Sequence, residues 1–222
     1  MARLLPLLLG AILLAVAAGP GFQPGDSAEA LRLQVSAGPP VDLMDLAEVQ
    51  PLLLIPVNPN KLAQACKLAA ELATRIPVSP LLVLPGTAPR SLCVGDIPST
   101  VLVLVETGGS PMLAEDAAVL IDESLHVRLR VPLGGQQISA QQLIPPVERW
   151  LQGRQIYEVN CGHCHGFDGA QASAPETKSL VGITRKYDDT TVLRLGAQFG
   201  GVDMSGWNDP KKETLLVYLR GL

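Results

Sequence analysis

Five residues, Cys161-Gly-His-Cys-His165, concentrate more reactive chemistry than any other stretch of this 222-residue chain. Two thiols and an imidazole at this spacing can ligate zinc, exchange disulfides or anchor a haem covalently. A closed zinc site needs four ligands, and the sequence has neither a second CxxC nor an HxxxH to complete one. Disulfide exchange favours a CxxC at a helix N-terminus, where the dipole stabilises a thiolate. Here the stretch from Pro145 through Gly166 reads as one helix with proline in its first turn, so Cys161 falls at the wrong end. Covalent haem attachment fits. A spacing of three puts Cys161 and Cys164 on one face of a helical turn, and His165 follows as an iron ligand. The cofactor expected is one haem c.

The remaining cysteines, Cys66 and Cys93, make an even remainder, which points to a structural disulfide, with two separate buried thiols as the alternative. The start of the chain supports an oxidising compartment. Arg3, an apolar run from Leu4 to Val16 and the small residues after it read as an export signal over residues 1–17, cleaved after Ala17. That run is shorter than the roughly twenty residues a membrane span requires. The mature chain is expected to be periplasmic or otherwise exported, with no transmembrane span. A net charge of −4 offers no basic face for nucleic acid.

The elements that must position these groups change texture along the chain. Residues 18–40 are rich in Pro, Gly and small polar residues and read as a flexible lead-in. From 41 to 145 apolar runs alternate with a helical pattern. Pro51–Val57 reads as a buried strand, and residues 58–76 as a helix capped by Asn58 or Asn60 and ended by Pro77. Four more runs read as strands, the last two joined by a turn at Glu123 and Ser124. This order resembles a thioredoxin-like α/β domain, with Pro98 in the place of that family's cis-proline. The redox CxxC is missing, since only Cys66 lies near its position. From 146 to 222 the strand-like runs stop.

The second segment, residues 147–222, resembles the class I cytochromes c. The residues that carry the likeness are Gly153-Arg-Gln-Ile-Tyr157 and the Cys161-Gly-His-Cys-His165-Gly166 that follows. The resemblance implies an all-α domain in which Gly153 lets the first and last helices cross and Tyr157 packs on Leu215, Tyr218 or Leu219. It further implies His165 and Met204 as axial iron ligands, a ligation that raises the potential. It places Pro175 and Leu180 near the proximal imidazole. Arg185, Lys186 and Trp207 are candidates to meet the haem propionates. His163 and His126 are left as surface residues.

The expected protein therefore has two domains, a thioredoxin-like α/β domain without redox function and then an all-α class I cytochrome c domain. It carries single electrons between partner proteins, alone or within a respiratory or dehydrogenase complex. Residues 18–145 hold twelve acidic against seven basic side chains, and residues 146–222 nine of each. The acidic first part is expected to dock a partner or assist assembly. The alternative is a haem enzyme, either peroxidase-like with an open iron or a thiol–haem oxidoreductase cycling Cys66 and Cys93.

Overall fold

The computed structural model describes residues 21–35, 39–85, 93, 102–107, 113, 116–134, 138–170, 177–199 and 201–222. The expected export signal (1–17), Pro98 and Pro175 lie outside them.

Continuous apolar runs build the centre of the sheet. The strands are β1 (Leu33–Val35), β2 (Pro40–Val41), β3 (Leu52–Pro56), β4 (Ser79–Leu84), β5 (Leu102–Glu106), β6 (Ala117–Ile121) and β7 (Val127–Pro132). They form one mixed sheet in the order β2-β1-β5-β4-β3-β6-β7. β3 pairs in parallel with β4 and β4 with β5, while the remaining pairs are antiparallel. Helix α2 (Leu62–Arg75) is the crossover between β3 and β4. It follows a single turn at Pro59–Lys61 whose first amide is capped by the Asn58 side chain.

Because β3 and β6 are buried along their whole length, successive side chains feed two different cores. Leu52, Leu54, Leu81 and Val119 face one layer, with Phe22, Leu31 and the short helix α1 (Leu43–Ala47). Leu53, Ile55, Leu82 and Leu120 face the other, where α2 and the C-terminal helices lie.

Those helices are α3 (Ala140–Tyr157), α4 (His163–His165), α5 (Ile183–Lys186), α6 (Asp189–Phe199) and α7 (Asp209–Leu219). Leu143, Ile144, Val147, Trp150 and Tyr157 of α3 are buried in the same cluster as Leu53 and Leu82 of the sheet. Met204, Leu215, Tyr218 and Leu222 belong to it too. The expected pairing of a thioredoxin-like domain with a separate all-α cytochrome c domain is therefore corrected to one α/β fold of a seven-stranded mixed sheet and helices. The physical reason is α3. It begins before the change of sequence texture, carries Pro145 and Pro146 within it, and buries one apolar face against sheet-side and α7 residues alike.

Cys66 on α2 and Cys93 form a disulfide with a Cα–Cα separation of 5.7 Å. The bond closes a loop of 27 residues. On the chain-entropy account, replacing both cysteines by alanine lowers stability by about 3 kcal/mol. Urea unfolding of the double variant measures this, and an unchanged midpoint would sink it.

Candidate functional site

Helix α3 delivers the CxxCH stretch, and α7 fixes where α3 ends. The two helices cross at Gly153, where any Cβ would overlap the Thr214 carbonyl and come within 2.9 Å of Tyr218 Cβ. Glycine at 153 is thus required by the close approach. One turn on either side, the Trp150 and Tyr157 rings lie 5.4 and 4.9 Å from the Tyr218 ring. Arg154, on the same helix, grips Glu123 of the β6–β7 turn with Nη1 at 2.7 and 2.9 Å and Glu158 with Nε at 2.7 Å. Burial works against its charge, but these carboxylates outweigh it and raise the pKa.

Beyond Tyr157 the backbone widens into a π turn, Glu158–Gly162, before α4 completes the motif. Such a turn inserts one residue and re-aims the side chains after it, and is frequent at functional sites. The two free thiols end in different environments. Cys161 is half-buried against the common core and Cys164 is exposed. Burial, reinforced by Cys164, pushes the Cys161 thiol up to about 11. A thiol so placed is protonated at neutral pH, the opposite of what disulfide exchange needs.

His165 is oriented by the backbone. Its Nδ1 lies 2.9 Å from the Lys178 carbonyl oxygen. A carbonyl only accepts, so Nδ1 carries the hydrogen and Nε2 is left as the electron-pair donor. Gly166, with φ +71°, stops the helix immediately after. The hydroxyl of Tyr157 donates to the Gly166 carbonyl at 2.9 Å, and that of Tyr218 to the Phe167 carbonyl at 2.8 Å.

Met204 is 9% exposed, and its Cε packs so closely on Gly196 of α6 that a Cβ there would lie 2.9 Å away. It borders a cavity of about 620 Å³ with Thr190, Leu193, Val202, Asp203 and Lys212, a size within the range of ligand pockets. The residues bordering this cavity do not include Cys161, Cys164 or His165. Met204 and Cys161 of the CxxCH stretch meet the same buried cluster.

Other sequence-selected residues fall as follows. Trp207 is half-buried, donates its amide to the Met204 carbonyl at 3.1 Å and carries Lys211 Nζ 4.0 Å from its ring centre. Leu180 donates its amide to Gly169 at 2.8 Å, close behind the motif. Arg185 lies against Gly25, where a Cβ would sit 2.7 Å from its Nη2, and Lys186 lies 5.2 Å from the Tyr187 ring. His163 is exposed, and His126 is half-buried in a bridge to Ser27. The Lys178 carbonyl was not among the residues selected from sequence, and a backbone oxygen leaves no signal there.

Several large apolar side chains of the C-terminal part lie at the surface. Val159, Phe167, Val181, Tyr187 and Phe199 are exposed, Phe167 by 70% and Phe199 by 81%. Helix α6 buries only Val192, although its sequence is amphipathic. Among the described residues, no cluster of three or more His, Cys, Asp or Glu side chains is arranged to hold a metal ion, and no helix is long and apolar enough to cross a membrane.

No family model and no curated protein matches the chain. Among solved structures, one similar chain is described as a “putative electron transport protein” from Aquifex aeolicus VF5. It is 10% identical with a TM-score of 0.35, over 49% of this chain and 87% of that one. A hypothetical protein from Sinorhizobium meliloti 1021 is 16% identical with a TM-score of 0.41, over 60% of this chain and 87% of that one. Both scores fall below the level at which a shared fold follows.

Proposed function

We propose that Cys161 and Cys164 attach one haem c covalently, that His165 and Met204 ligate its iron, and that the chain is an exported carrier of single electrons. The observation that carries this reading is the Nδ1 contact of His165 with the Lys178 carbonyl. An imidazole tied by Nδ1 to a carbonyl has its tautomer and ring plane set for ligation through Nε2. The donor set agrees. Two thiols three residues apart and an adjacent imidazole suit covalent haem attachment and fall short of a zinc site.

When bound, the haem supplies a one-electron Fe(III)/Fe(II) couple. The chain's own residues hold and tune it. The half-buried Cys161 would hold the group against the core. The Met204 thioether, already buried, would hold the iron as a soft donor and favour its reduced state. The acidic sheet-bearing part is a docking or assembly surface for redox partner proteins.

The test combines the mass of the denatured chain with absorption spectra, oxidised and reduced, with and without carbon monoxide. A mass increase of one haem and a methionine-to-iron band are expected. A chain of unmodified mass, from a host that matures c-type cytochromes, would overturn the haem assignment. Rapid carbon monoxide binding would overturn Met204 and favour the enzyme with an open iron.

A further inference from the structure

We propose that Tyr157 and Tyr218 are positioning residues for His165, acting as a pair of hydroxyl anchors on the backbone that follows it. The inference rests on the reading of His165 as the iron ligand.

The two rings come from different helices and meet at the α3–α7 crossing, 4.9 Å apart. Tyr157 is fully buried and Tyr218 is 3% exposed, so neither hydroxyl can turn to solvent without unpacking the crossing. They donate to consecutive carbonyls, Tyr157 to Gly166 and Tyr218 to Phe167. Those residues directly follow His165, at the point where the positive φ of Gly166 ends the helix. The backbone there has left the helical ladder, and each carbonyl would otherwise need water.

Tyr157 also underlies the motif itself. Its Cε1 is 3.8 Å from where a Cβ on Gly162 would be, and its hydroxyl 3.5 Å from the corresponding position on Gly169. Gly169 in turn holds Leu180, two residues beyond the Lys178 carbonyl that orients the imidazole. Tyr157 thus stands beside both the backbone that follows His165 and the Gly169 that holds Leu180, while Tyr218 fixes the next carbonyl. A hydroxyl in a packed site cannot be replaced by water, so its loss frees the backbone without opening the core.

The variants Tyr157→Phe, Tyr218→Phe and the double keep both rings and remove one or both donors. In the full-length chain, hydrogen exchange at the Gly166 and Gly169 amides, which donate to the Gly162 and Gly166 carbonyls, is expected to quicken about tenfold in the double variant, with smaller effects in the singles. The amides of Leu54 and Leu82 in the sheet serve as the internal reference. In the haem-free chain, nitrogen NMR of labelled histidine is expected to show loss of the pure Nδ1–H tautomer at His165, and in the haem-bearing protein the reduction potential shifts with haem content unchanged.

An unchanged tautomer and unchanged exchange in the double variant would overturn the proposal. So would acceleration at Leu54 and Leu82 equal to that at Gly166 and Gly169, because the hydroxyls would then serve global stability alone. The two readings fail separately. Absence of covalent haem from the unsubstituted chain defeats the haem assignment, while the exchange and tautomer measurements still judge the anchors.

Discussion

On the proposed haem assignment, a chain carrying Cys161→Ala and Cys164→Ala together is expected to release any bound haem on denaturation, leaving a polypeptide of unmodified mass. Each cysteine can form one thioether, so either single variant retains a covalent link and only the double loses both. His165 is untouched, and its ring stays held by the Lys178 carbonyl, so some haem can still bind reversibly in the native protein. The distinction is read by mass spectrometry before and after denaturation. Haem that stays on the denatured double variant would show attachment elsewhere, and the assignment of these two thiols would be abandoned. The polypeptide of the double variant should also melt at a lower temperature, since a ligand bound only to the native state no longer persists on the chain.

The second large effect concerns stability. Arg128 of β7 is 3% exposed, with Nε 2.6 Å from Asp122 Oδ2 and Nη1 3.0 Å from the Gly221 carbonyl oxygen. The other carboxylate oxygen of Asp122 accepts the Ser124 and His126 amides and so shapes the β6–β7 turn. Replacing Arg128 by methionine preserves much of the volume but leaves a buried carboxylate without its cation and the Gly221 carbonyl without its donor. A loss of about 3–5 kcal/mol is expected. Pairing it with Asp122→Asn should recover part of the loss, because the uncompensated charge is then gone. Urea denaturation of both variants decides this. A loss under about 1 kcal/mol in the single variant would mean that the ion pair is no better than its hydrophobic replacement.

What sequence could disclose follows from which interactions are local. The apolar run at Pro51–Val57, the helical spacing of Leu62, Cys66, Ala69 and Leu72, and the short turn at Glu123 and Ser124 all depend on near neighbours, and each corresponds to an element in the structure. The Cys66–Cys93 pairing was accessible by counting. Gly153 and Tyr157 stood out by type and spacing, and both lie at the α3–α7 crossing. The division into an α/β domain and an all-α domain failed because periodicity shows that a helix has an apolar face, not what covers it. The faces of α3 and α7 pack into the cluster that holds Leu53 and Leu82. The π turn before Cys161 has no compositional mark, and the Lys178 carbonyl is supplied by backbone that any residue could provide. The cavity beside Met204 arises from the spacing of α6 and the following loop, which no pattern of residue types encodes.

The strand β7 also gathers sequence-distant partners. Residues near the start of the described chain bond to it, Gly25 through its amide to the Val127 carbonyl and Asp26 through its carbonyl to the Val127 amide. Residues near its other end reach the same place, where Gly221 lies against Arg128 so tightly that a Cβ would overlap the Arg128 carbonyl. Closing loops of about a hundred residues from both directions onto one strand brings an entropic cost before the contacts repay it. The folding rate should accordingly be limited by this late convergence rather than by helix formation, placing the chain toward the slow end for its size.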